Sequence, residues 1–249
     1  MPSCCSPFED AANRQFDQKK VAQELERYRS KGPGATTRLL VDGIVQSGGL
    51  NGTVLDVGSG IGGLAFTLLE RGATEAVVID ASASYIAAAR DEAHRRGHAD
   101  RVRFLHGDFV EAAGQIAPAS IVTLDRVVCC YPSCEELLTA AVEHAERCLA
   151  LSYPRDLWYV RLGTMLENGQ RWLARHAFRT FVHPAKRMEE TLRRVGFALA
   201  TRRETWMWTA DVYVRQRSQQ GRRQMPVHAR CRPQSDENAE ALGERSPLR

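Results

Sequence analysis

From residue 53 onward the sequence alternates short β-branched, apolar runs with amphipathic stretches, and this alternation leaves few architectures open. The runs lie at 53–57, 76–79, 102–105, 120–124 and 149–152, with helices expected to start near Gly63, Ser84 and Glu135. Strands alternating with helical patterns of roughly 10–15 residues return to a parallel neighbour through crossovers. The expected fold is therefore α/β, with a doubly wound, Rossmann-like sheet. The alternation stops at Pro154, where a helix is expected over 156–178. Another helix opens at His183-Pro184, with Met188, Leu192 and Val195 in register before Gly196. Runs at 198–205 and 207–215 read as an antiparallel pair at the sheet edge, which makes a seven-stranded sheet with the last strand antiparallel.

Upstream, Phe16, Val21, Leu25 and Tyr28 recur at helical spacing within 9–30, and Gly32-Pro33-Gly34 ends that stretch. A shorter helix over 36–46 turns Leu39, Leu40 and Ile44 inward. The organisation read from these patterns is capping helices over 1–48, a ligand-binding α/β domain over 49–215 with covering helices at about 155–195, and a basic tail over 216–249. The tail holds seven Arg against four acids in 34 residues, so it carries +3 of the formal +4 of the whole chain. With only eight apolar residues it lacks the means to offset the entropy of ordering, and it is expected to be disordered. Basicity is thus a property of the tail, and nucleic acid is not the expected partner.

The longest apolar runs are five residues, Tyr85 to Ala89 and Val127 to Tyr131. A spanning helix needs about 20, so no transmembrane segment is expected. Residues 1–10 show no basic start followed by an apolar stretch, which excludes a visible secretory leader. Seven cysteines, at 4, 5, 129, 130, 134, 148 and 231, form no CxxC pair. They suit free thiols in a cytoplasmic protein better than a disulfide framework or a zinc site, and no metal is expected.

The first β run and its turn read Val54-Leu55-Asp56-Val57-Gly58-Ser59-Gly60-Ile61-Gly62-Gly63. Glycines let the backbone turn sharply and let a ligand approach it. In open α/β sheets ligands bind beyond the carboxyl ends of the strands, where this turn lies. Gly58, Gly60 and Gly63 also satisfy the GxGxxG dinucleotide pattern, which alone is weak. Three features favour another ligand. Asp56 stands two residues before the first glycine, where a pyrophosphate would not welcome it and an ammonium group would. Asp80 ends the second run, suited to ribose hydroxyls. Gly107-Asp108-Phe109 follows the third, where a carboxylate beside an aromatic ring matches the amine and face of adenine. An amino-acid end, a ribose and an adenine together describe S-adenosylmethionine.

In these residues the chain resembles the class I S-adenosylmethionine-dependent methyltransferases, over roughly residues 14–215. The resemblance implies that Gly58, Ser59, Gly60 and Gly62 cradle the amino-acid moiety with Asp56. It implies that Asp80 and Ala81 hold the ribose, and that Asp108 and Phe109 meet the adenine. After the fourth run, Asp125-Arg126-Val127-Val128-Cys129-Cys130-Tyr131-Pro132 is placed facing the methyl group, with Asp125 and Arg126 at the cofactor. This loop, with Leu151-Ser152-Tyr153-Pro154 and Phe181-Val182-His183-Pro184, is similar to the magnesium-protoporphyrin O-methyltransferases. Those have histidine where Cys130 stands and apolar residues where Arg126 stands. Tyr28 corresponds to their functional tyrosine near the N-terminus.

The expected activity is methyl transfer from S-adenosylmethionine to a small-molecule acceptor, catalysed mainly by positioning. Tyr28 and Tyr131 are the candidate catalytic residues, and Cys130, Trp158 and His183 the candidate substrate contacts. For the helix over 156–178, Leu157, Leu162 and Leu173 are expected to face the core and the tryptophans to lean towards the pocket. Peripheral membrane contact through this helix is the reading not favoured. The alternatives are a porphyrin carboxylate O-methyltransferase, a nicotinamide-dependent oxidoreductase, and a non-catalytic module that keeps the cofactor pocket.

Overall fold

A computed structural model describes residues 7–216. Strands β1 (Val54–Val57), β2 (Ala76–Asp80), β3 (Val102–His106), β4 (Ala119–Asp125) and β5 (Ala145–Pro154) run parallel. Strands β6 (Phe197–Glu204) and β7 (Trp208–Arg215) close the sheet as a hairpin, with β7 antiparallel to β5. The order β3-β2-β1-β4-β5-β7-β6 is the expected seven-stranded sheet. It reverses direction between β1 and β4, the point where open α/β sheets bind ligands.

Both faces of the sheet are covered, which is why the central strands are apolar at successive positions instead of alternating. Val54, Val78, Ile121, Ala150 and Val212 pack under helices α3 (Ala35–Gln46), α4 (Gly63–Glu70) and α5 (Ala83–Arg96). Leu55, Val57, Val122, Leu124, Leu149 and Leu151 face α6 (Phe109–Ala112), α7 (Cys134–His144) and α9 (Ala185–Arg194). Helix α3 lies flat on the sheet; a Cβ on its Gly43 would stand 2.7 Å from Val212.

The single helical stretch expected over 9–30 is in fact two helices, α1 (Pro7–Gln15) and α2 (Gln18–Lys31). Asp17 breaks it by capping α2, its Oδ1 accepting the Lys20 amide at 2.9 Å. Phe16, freed by the break, packs edge-on against Phe178, with ring centroids 5.3 Å apart.

Helix α8 (Trp158–Leu173) is shorter than expected and its faces are reversed. Leu162 and Leu173, read as core-facing, are 49% and 76% exposed, and Val160 is the helix's one buried residue. The reversal has a polar cause. Asn168 Nδ2 donates to the Thr180 carbonyl at 2.7 Å, and Arg171 donates to Thr180 Oγ1 at 2.7 Å, so the polar face is the one tied to the body.

No helix among the described residues is long and apolar enough to cross a membrane. The reading of 216–249 as a disordered tail falls, beyond Gln216, outside the described residues, as do Cys4, Cys5 and Cys231. Cys129, Cys130, Cys134 and Cys148 are free.

Beside the β5–β7 ladder, one fully buried carboxylate ties the hairpin to β5. Asp211 Oδ2 accepts from Tyr153 at 2.7 Å and Tyr213 at 3.0 Å, while Arg202 donates to both Asp211 oxygens at 2.8 Å. Removing the anion leaves two buried hydroxyls without their acceptor, while Arg202 keeps its ion pair with Glu189 at 3.0 Å. Asp211→Ala is expected to cost about 1–3 kcal/mol for each hydroxyl left unsatisfied, measured by urea denaturation.

Candidate functional site

Gly58 and Gly60 take the left-handed conformation, with φ of 61° and 56°, and fold the chain back at the end of β1. A Cβ on Gly58 would stand 2.5 Å from Val127, so the turn and the loop after β4 are packed to contact there. The turn opens one wall of a cavity of about 410 Å³ at the carboxyl ends of the strands.

Three carboxylates end adjacent strands on that cavity. Asp56 is 1% exposed and accepts from Thr123 Oγ1 at 2.7 Å through Oδ1, whereas its buried Oδ2 has no hydrogen-bond partner. Burial, reinforced by the charges of Asp125 and Asp80, pushes this carboxyl up to about 7. Asp80 accepts from the Gly60 amide through Oδ2 and from the Ser82 amide through Oδ1, both at 2.8 Å. Each oxygen keeps a further lone pair for a ligand hydroxyl. Burial raises Asp80 to about 6. Asp108 Oδ1 caps α6 by accepting the Val110 amide at 2.9 Å, and Phe109 beside it is buried on the same wall.

The loop after β4 supplies the next wall. Asp125 is tied down by Ser152 at 2.6 Å and Thr37 at 2.5 Å. Arg126 adopts a left-handed φ of 63°, uncommon for a residue with a side chain, and its amide donates to Ser152 Oγ at 2.8 Å. Its guanidinium reaches Glu24 of α2 at 3.3 Å. Glu24 also accepts the Tyr85 hydroxyl at 2.5 Å, so one carboxylate joins α2, α5 and the β4 loop across the cavity. The Cys129 and Cys130 thiols, 3.6 Å apart, both donate to the Arg126 carbonyl at 3.4 Å.

The structure thus gathers Tyr28, Asp56, Gly58, Ser59, Gly60, Asp80, Ala81, Asp108, Phe109, Asp125, Arg126, Cys130 and Tyr131 around one cavity. Two of them present their hydroxyls elsewhere than at its open space. The Tyr131 hydroxyl donates to Asp108 Oδ2 at 3.2 Å. The Tyr28 ring walls the cavity beside Gly63, but its hydroxyl is buried without a partner and the ring stacks beneath the Arg96 guanidinium at 4.7 Å.

Gly62, Trp158 and His183 are not brought to the cavity wall. Gly62 is the left-handed cap of α4, and a Cβ there would strike the Phe66 ring at 2.5 Å, so packing accounts for that glycine. Trp158 is 76% exposed on the outer face of α8. The His183 ring stacks on Phe181, with its buried Nε2 lacking a partner. Glu24, Thr37, Tyr85 and Phe178, which no motif marks, line the cavity from distant segments, and Arg171 joins them from α8.

Residues 54–151 match the family model described as a methyltransferase domain. No curated protein matches the chain. Among solved structures, magnesium protoporphyrin IX methyltransferase from Synechocystis with bound S-adenosylhomocysteine is similar. Its TM-score is 0.65 at 20% identity, and the match covers 84% of this chain and 100% of that one. An O-methyltransferase family protein from Burkholderia thailandensis matches with a TM-score of 0.63 at 17% identity, over 84% of this chain and 64% of that one. The fold is that of the class I methyltransferases, as the motifs implied.

A carboxyl with a raised folded-state pKa holds its proton more tightly when folded. Its contribution favours the fold at low pH and is lost as pH rises from about 4 through about 7. The ligand-free protein should therefore lose thermal stability between pH 5 and pH 8. Asp56→Asn should shrink that loss by several degrees in melting temperature, as followed by circular dichroism.

Proposed function

We propose that the chain is an S-adenosylmethionine-dependent methyltransferase acting on a small-molecule acceptor. The observation that carries this reading is the convergence of Asp56, Asp80 and Asp108 on one cavity beside the left-handed Gly58–Gly60 turn. The buried, unpartnered Oδ2 of Asp56 fits a cationic amine. The free lone pairs of Asp80 fit a ribose diol, and the Asp108–Phe109 pair fits a purine.

When bound, the cofactor supplies a methyl group already activated on a sulfonium. The work left to the chain is positioning, worth about 7–11 kcal/mol of barrier, against roughly 3–5 kcal/mol for a general base. Asp56 and Asp80 would fix the cofactor's amino-acid end and its ribose, and the tethered Asp125–Arg126 turn would fix the wall nearest the transferred group. Phe16, packed on Tyr85 and Phe178, helps the α1–α2 cover to keep water out. The Tyr131 hydroxyl is engaged by Asp108 and the Tyr28 hydroxyl is buried, which favours positioning over proton transfer for both. Cytoplasmic residence belongs to the same reading.

The nicotinamide alternative is disfavoured at Gly63. A Cβ there would lie 3.0 Å from the Tyr28 ring, so the ring occupies the approach a pyrophosphate would need. For the acceptor, a porphyrin carboxylate is the second reading. It is supported by the full-length likeness to the Synechocystis enzyme; Arg27, Arg126 and Arg171 on the cavity wall, paired with Glu24 and Glu167, would have to exchange those partners for the carboxylate.

Calorimetry should register binding of S-adenosylhomocysteine and none of NADH, and radiolabelled methyl should pass from the cofactor into a metabolite extract. Asp80→Ala should weaken cofactor binding about 10–100-fold, the value of one hydrogen bond to a charged group. Binding of NADH without S-adenosylhomocysteine would reverse the assignment.

A further inference from the structure

Helix α8 is amphipathic in the reverse of the usual sense. A helix on a globular protein turns its apolar stripe to the core and its charges to water. Here the positions facing the body are Val160, Thr164, Glu167, Asn168 and Arg171, with Glu167 and Arg171 on the cavity wall. The opposite face carries Trp158, Leu162, Met165, Leu166, Trp172 and Leu173, exposed by 76%, 49%, 71%, 61%, 69% and 76%. The heptad spacing 158/165/172 and 159/166/173 places them on one continuous stripe without a charge in it. The stripe continues onto the β6–β7 turn. Tyr159 donates to the Trp206 carbonyl at 2.6 Å and stacks on the Trp206 ring, which is itself 70% exposed. An apolar surface of this extent, held in place by hydrogen bonds on its other side, marks a surface meant to be covered.

Charge selects the occupant. Residues 155–194 hold nine Arg and Lys against four Asp and Glu, a net +5 that exceeds the +4 of the whole chain. Arg161, ion-paired with Asp156, borders the stripe in the first turn, and Arg175 stands exposed just past the last. A second copy of the helix would bring two such cationic segments together. Residues 217–249 carry +3 and eight apolar residues, so they offer neither the sign nor the area to cover it. Tryptophan and leucine on one face with basic residues at its border match the interface of an anionic bilayer, where the apolar face sinks to the acyl boundary and the cations meet headgroups. We propose that α8 and the Trp206 turn form a peripheral membrane-binding surface for anionic lipid. The helix then has the bilayer on one face and the cavity wall on the other, so the cavity opens beside the lipid surface.

The test is co-sedimentation of the full-length chain with phosphatidylcholine vesicles that do or do not contain phosphatidylglycerol, with tryptophan emission read in parallel. Binding to the anionic vesicles, a blue shift of the emission, and weaker binding at high salt are expected. The triple variant Met165→Gln, Trp172→Gln, Leu173→Gln changes only side chains exposed by 69% or more, so its melting temperature should match the parent. Its partitioning should fall by at least about tenfold. Equal binding by the variant would assign lipid contact to another segment and overturn the proposal. It would equally be overturned by no vesicle binding, or by a dimer in light scattering that the variant abolishes.

Discussion

The structure turns on carboxylates that the fold desolvates at the ends of parallel strands. Asp56 is enclosed with one oxygen unpartnered, and Asp80 is enclosed with two backbone donors on it. Burying a charge is unfavourable unless it is paired, so these strand ends hold an electrostatic cost in an otherwise apolar sheet. A local conflict of this kind, set among consistent packing on both faces, marks function more clearly than any single motif residue. A cationic or hydroxyl-bearing ligand relieves it, which links the architecture of the strand ends to what they hold.

The cover over those carboxylates depends on two further acids. Glu92 of α5, fully buried, accepts from Arg29 of α2 at 2.9 Å and from Arg95 and Arg96 at 2.8 Å. Arg96 in turn lies over the Tyr28 ring, so the ion cluster fixes that ring against Gly63. At the other end Glu24 bridges Tyr85 and Arg126. Helix α2 is thus fastened to α5 by Glu92 and bridged over the cavity by Glu24, with the cavity closed between them. The left-handed Arg126 carries the second bridge, and its backbone is held by the same Ser152 that orients Asp125.

The second half of the chain builds the acceptor side by different means. The sheet and its helices follow from apolar periodicity, but α8 is oriented by Asn168 and Arg171 bonding to the segment around Thr180. Those bonds leave all of its large apolar side chains outside. Polar satisfaction decided the orientation there, against the direction that hydrophobic burial alone would choose.

What the sequence by itself determined is the order of strands and helices, the doubly wound sheet and the residues at three strand ends. Those are local properties: period-2 and period-3.6 patterns, glycines that must turn, and acids at or just beyond the strand ends. The match at 54–151 falls on that stretch. Only the tertiary structure decided that Glu24, Thr37, Tyr85 and Phe178 meet the same cavity, because their contacts span long sequence separations that no local pattern encodes. Gly62 shows the converse, since a glycine inside the motif answers to the Phe66 ring and not to a ligand. The face of α8 was likewise invisible beforehand: a stripe of Trp, Leu and Met reads the same whether it meets a core or the outside. Hydrogen-bond partners contributed by Thr180 fixed the choice.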